Sequence, residues 1–219
     1  MKSDDIEIKF EQYREHLETE TSRLSSYIHL YKHLHERKQD RLDEMNVAPC
    51  FFQTVISSLF SAIIHWVHNL LHPKAERGFI NFLGFVENNR EAFSICSLQK
   101  RLNYPDGHWM LQRDPITFES VQSDRQKLLS IRSLSSFKTR RDKFHAHFDK
   151  TYAFQRSQIS KDAPIKWSDL DEVIDTMKDI LNKYSAAYDG KVYSIEPMDI
   201  SDIDYILDIL YQHNQSNKC

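Results

Sequence analysis

The stretch KTRRDKFHAHFDK, residues 138–150, gathers the side chains of this chain best suited to phosphate chemistry. Arg140 and Arg141 are followed by Asp142, and His145 and His147 stand a turn further on, with Asp149 behind them. Histidine moves protons near neutral pH, because its unperturbed pKa is about 6.5. Arginine presents a charged planar fork that can hold the extra negative charge of a pentacoordinate phosphorus. An arginine and a histidine flanking one groove therefore suit the cleavage of RNA, in which the ribose 2′-hydroxyl attacks its own phosphate. No carboxylate cluster accompanies them, so this chemistry calls for no metal and no cofactor.

Placed on a helix, Phe137, Arg141, Phe144, Phe148 and Tyr152 follow steps of four, three, four and four and share one face. That phasing turns Arg141 toward the buried side, where a guanidinium needs a carboxylate, a phosphate or a partner surface. Arg140, Lys143 and His147 fall on a neighbouring face. On an ideal helix Arg141 and His147 are about 120° apart and about 9 Å along the axis, placing them on two sides of a groove. Lys138, Arg140, Lys143 and His145 are the candidate RNA contacts, although a solvated helix face carries the same kind of charge run. Asp142 either orients a site group or pairs with a neighbouring cation. The two histidines of His-Ala-His diverge by about 160° on a helix, which excludes a metal site there.

The elements that must position this segment read as helices. Only 4 Gly and 6 Pro among 219 residues leave little turn material for a many-stranded protein. Apolar residues at 40% and charged residues at 28% are ordinary for a folded globular chain, and a net charge of −3 announces no global attraction to nucleic acid. A long first helix is expected over about 5–45, with Phe10, Tyr13, Leu17, Leu24, Tyr27, Tyr31 and Leu34 as its packing stripe. His29, His33 and His35 are expected on its surface. A second helix, about 49–71, is the most apolar and the best candidate for a central one; His72-Pro73 ends it. Its polar interruptions argue for a buried helix rather than a membrane span. His65, His68 and His72 share one of its faces, and no Asp, Glu or nearby Cys completes a metal set there, so a polar strip toward the motif helix or a dimer groove is expected.

Shorter helices follow at about 76–88 and 90–102, then a loop over 103–115 and a helix from about Thr117 that breaks near Ser135–Lys138. Beyond the motif, WSDLDEVIDTMKDILNKYSAAYDG predicts a helix with Ser168 as N-cap, Asp171 closing a capping box and Gly190 past its end. KVYSIEP suits a short extended segment, and a last helix starts at Ser201. The expected architecture is a single all-α domain over 1–219, with a long N-terminal helix and a C-terminal helical extension. Three scattered cysteines and a charged N-terminus without a signal-peptide core point to the cytoplasm and no membrane.

The quoted residues also resemble a family. Arg followed by Asn or Asp, with His four to six residues on, is the signature of the HEPN superfamily of helical ribonucleases. RRDKFHAHFD resembles its abortive-infection Abi-U-type branch, in which Arg-Asp-Lys precedes Ala-His-x-Asp. The resemblance covers roughly residues 45–190 and places Arg141, Asp142 and His147 at the motif positions, with Asp149 as the following acid. Arg140 also stands at an allowed distance from His145; the Asp after Arg141 favours Arg141. The resemblance implies an up-and-down helical bundle, a metal-independent endoribonuclease and a homodimer whose two motif helices meet in a composite site. It further implies a role in abortive infection or in a toxin–antitoxin pair, with RNA as substrate and an antitoxin as a possible partner. Two other readings share the pattern: a HEPN-like module that binds RNA, nucleotide or a protein without cleaving, and a helical scaffold in which the motif is an ion-pair network.

Overall fold

The computed structural model describes residues 3–146 and 157–216. The chain is all-α, 78% helical, with no strand among the described residues. Helix α1 (Ser3–Asp40) runs about 57 Å along one side of the bundle. The buried residues Phe10, Leu17, Thr21, Leu24, Ile28 and Leu34 form its inner stripe, so the stripe continues through Thr21 where its apolar pattern lapses. A kink at Arg41, which carries non-helical backbone angles, separates α2 (Leu42–Met45) from α1 and divides the expected single helix in two. The side chain of Arg41 leaves the helix line to bond Asp208 at 2.6 Å.

Helix α3 (Pro49–Leu71) has the expected bounds, with proline at its start and His72 extended at its end. By length and composition it is apolar enough to cross a membrane. In the bundle it packs along α1, and its C-terminal half supplies Ile63, Ile64, Val67, Leu70 and Leu71 to the core. Its N-terminal half is buried less than the sequence suggests: Phe51 is exposed, as are Gln53, Thr54, Ser57 and Ser58.

Helices α4 (Phe79–Asn88) and α5 (Ile95–Leu102) are joined by a 3₁₀ turn at Arg90–Phe93, and a second 3₁₀ turn, Trp109–Leu111, lies in the expected loop. Thr117 caps α6 (Phe118–Leu129) through a reciprocal pair of bonds with Ser120. The break after it comes at Ser130–Ser133, earlier than expected, and α7 (Leu134–Thr139) restarts helical structure there. A short α8 (Gln158–Asp162) precedes α9 (Trp167–Asp189). The N-cap of α9 is Lys166 rather than Ser168: the Lys166 amide donates to Asp169 Oδ2 at 2.7 Å, while Asp171 is drawn to Lys32 on α1. Gly190 closes α9 with φ +80°, a conformation that a side chain resists. Residues 191–200 form no strand; instead the Asn182 amide exchanges bonds of 2.7 and 3.0 Å with Tyr193, taking the place of a neighbouring strand.

One large cluster contains the buried faces of α1, α3, α4, α6 and α9, and a smaller one joins Leu34, Met45, Phe52 and Leu207 under α10 (Ser201–Ser216). His33 and His35 are half-buried rather than on the surface, because His33 bonds Asp204 of α10 at 3.1 Å and the His35 ring lies 5.4 Å from Trp167. The N-terminal part of α1 and the end of α9 are pinned together by Arg14, only 2% exposed, whose Nη1 donates to both Asp189 oxygens at 2.8 Å.

Candidate functional site

Helix α7 passes without interruption into a π-helix over Arg140–Ala146. The i→i+5 turn is uncommon and concentrates at functional sites, because the widened turn redirects side chains that an α-helix would hold in line. Phe137, 2% exposed, anchors the segment in the core. On an ideal helix Arg140 and Arg141 lie about 60° and 40° to either side of Phe137, so helical phase alone does not choose between them.

The surroundings choose. Arg140 is the buried arginine, 8% exposed, with its Nε donating to the Ala163 carbonyl at 2.7 Å and its guanidinium 5.2 Å from the centre of the Phe60 ring. Burial moves its pKa below the ordinary arginine value, with Tyr31 acting the other way. Arg141 is half-buried. This corrects the expected orientation, in which Arg141 was the inward cation and Arg140 lay on the flank. The carbonyl of Ala163 and the Phe60 face, both distant in sequence, hold Arg140 in.

Arg141 enters a separate cleft of about 130 Å³ on the other side of the segment. Val67, His68 and Leu71 of α3 and His72 just past its end form one wall, and Leu134, Phe137 and Lys138 face them. The Arg141 Nε donates to Asp142 Oδ1 at 2.6 Å, and its Nη2 contacts the same oxygen. The His68 and His72 rings lie tilted with centroids 4.4 Å apart, and the buried Nδ1 of His68 has no hydrogen-bond partner among the described residues. The histidine strip of α3 therefore does face the motif segment through His68 and His72. Among the described residues no group of three or more His, Cys, Asp or Glu gathers to hold a metal.

Lys138 and Lys143 are exposed on the same segment, and Arg140 is not. His147 and Asp149 lie outside the described residues, as does the side chain of His145. Sequence reasoning missed the aromatic surroundings of Arg140, which Tyr31, Phe60 and Trp167 supply from three helices. Nothing in their local spacing links them.

A family model described as AbiU2, of the HEPN group, matches residues 7–209. The chain belongs to the HEPN AbiU2 family. The abortive-infection branch that the motif resembles is thus its family, and the match runs from α1 into α10, well beyond the 45–190 that carried the resemblance. No curated protein and no solved structure matches the chain significantly. Within this HEPN AbiU2 chain, Arg141, bonded to Asp142, lines a cleft whose other wall carries His68 and His72.

Proposed function

We propose that this HEPN AbiU2 protein is a metal-independent endoribonuclease that acts in abortive infection or as the toxin of a toxin–antitoxin pair. The observation that carries the reading is the placement of Arg141, a cation bonded to Asp142 and presented at an open cleft rather than buried in the bundle. The 2′-oxygen of the substrate forms a bond to phosphorus and loses its proton, and the bond from phosphorus to the 5′-oxygen breaks as that oxygen gains one. The products are a 2′,3′-cyclic phosphate and a free 5′-hydroxyl. His147 assists proton transfer at one of these oxygens, and Arg141 holds the charge on the phosphorane. Asp142 orients Arg141 until phosphate displaces it from part of the fork. Lys138 and Lys143 meet neighbouring phosphates.

The active form is a homodimer in which the motif segments of two copies complete each other. Arg141→Ala and His147→Ala should each lower cleavage of mixed RNA in EDTA by about 10²- to 10⁴-fold, with thermal unfolding unchanged. Mixing the two inactive variants should restore part of the activity, since one of the two composite sites then has both groups. Retained cleavage in both variants sinks the assignment; RNA binding without cleavage by the wild-type chain identifies a binding module instead.

A further inference from the structure

The second cleft beside the motif segment is built differently from the first. It is a groove of about 560 Å³ between α1, α3, the turn after α8 and the start of α9. That is room for one nucleotide, since small-ligand sites occupy roughly 300–1,000 Å³. Phe60, Tyr31 and Trp167 follow one another along its wall, with Phe60–Tyr31 and Tyr31–Trp167 centroids both 5.4 Å apart. His35 packs edge-on against Trp167, yet Trp167 stays 46% exposed and lines the groove. Arg140 forms part of the same wall while being 92% withdrawn from solvent, and among the described residues no carboxylate pairs with it. Its single bond to the Ala163 carbonyl ties down the turn after α8, but a neutral donor such as Gln would do that at a lower desolvation cost. A desolvated cation with no carboxylate partner among the described residues, set beside an exposed aromatic face, suits an anionic aromatic ligand.

We propose that this groove is a nucleotide subsite, in which an unpaired base stacks on Trp167 and the attached phosphate is taken by Arg140 and the exposed Lys166. The proposal deepens the ribonuclease reading and rests on it for the identity of the ligand as RNA. Arg140 and Arg141 then serve two clefts from adjacent positions, one holding a nucleotide and the other facing the bond to be cut. Phe60 and His68 mark these clefts on α3, about 12 Å apart along its axis.

The test uses the full chain and a 2′-O-methyl RNA octamer, which binds but has no 2′-hydroxyl to attack, with AMP as the free-nucleotide probe. Trp167→Ala should weaken octamer binding about tenfold, and Trp167→Phe, which keeps a stacking face, should stay within about twofold of wild type. Arg140→Gln should reduce the slope of log affinity against log salt by about 0.7, the signature of one lost phosphate contact on a single strand. Lys166→Glu, at an exposed position, gives the same reading if either of the other variants unfolds. Where binding depends on Trp167, the groove is upheld: octamer binding at least tenfold tighter than AMP then identifies a nucleotide within a strand, and equal binding identifies a free nucleotide. Trp167-independent binding combined with Arg141-dependent cleavage of ordinary RNA overturns the groove and leaves the ribonuclease standing. Trp167-dependent binding without any cleavage does the reverse. If neither probe binds, the groove is overturned.

Discussion

Removing the Arg14 guanidinium should unfold this protein more readily than any surface change, and the structure sets the size of the effect. Arg14 lies 2% exposed inside the stripe of α1, donating twice to Asp189 at the end of α9 and also to Glu11. In Arg14→Met the stem is replaced by a side chain of similar length, so little cavity forms and the loss is electrostatic. Asp189, with 11% of its side chain exposed, keeps only Lys191 among the described residues, through contacts of 3.1 and 3.2 Å. Breaking one side of a buried pair costs about 3–5 kcal/mol, because the other charge is left desolvated. With a urea slope of about 2–3 kcal/mol per molar, the midpoint should fall by roughly 1.5 M at pH 7. The pH dependence gives an independent check. Burial by itself raises the Asp189 pKa, but bonds from Arg14 and Lys191 outweigh it and hold the carboxyl below its usual range. A carboxyl depressed in the folded state adds stability above its unfolded pKa of about 3.9, and that stability is lost as pH falls through the folded value. The gap between wild type and Arg14→Met should therefore narrow below about pH 4. A midpoint shift under about 0.3 M at pH 7, or one equally large at pH 3, refutes the account.

Two further outcomes follow from single residues. Tyr184 is fully buried and donates to Asp124 Oδ2 at 2.6 Å, and burial followed by that bond raises its pKa well above the ordinary tyrosine value. A raised folded pKa means stability present below about pH 10 and lost above it, so Tyr184→Phe should cost about 1–2 kcal/mol at pH 7 and flatten the alkaline decline in chemical unfolding. Gly190→Ala, at φ +80° with Met110 Cε 2.8 Å from the new Cβ, should lower the thermal midpoint by roughly 4 °C, from about 1–2 kcal/mol of left-handed strain. The methionine end can swing aside, so a much larger drop would show that packing rather than backbone strain sets the cost.

Element identity was largely legible in the chain. Pro49 and His72-Pro73 bracket α3 because proline suits the first helical turn and disfavours a helical residue before it. Thr117 and Gly190 mark a start and an end for equally local reasons. The start of α9 was misread because any Asp three residues after a backbone amide can cap it, and Lys166 with Asp169 competes on equal terms with Ser168 and Asp171. The apolar pattern of α1 gives no sign of its buried polar residues, Arg14 and Thr21 among them, and the partner that makes Arg14 tolerable is 175 residues away.

By itself the sequence determined that the chain is helical, where its main helices lie, and that Arg141-Asp142 resembles the Arg-Asp of a HEPN motif. Those properties reside in periodicity, capping and spacing over a few residues. Tertiary structure decided which of two adjacent arginines is buried. Both lie close to the Phe137 face of a regular helix, so the choice between them depends on a carbonyl at Ala163, a ring at Phe60 and a π-turn that parts the two side chains. It also brought Tyr31, Phe60 and Trp167 to one groove, because three helices with unrelated local patterns cross there. A contact between elements far apart in the chain leaves no spacing to read, and only packing creates it.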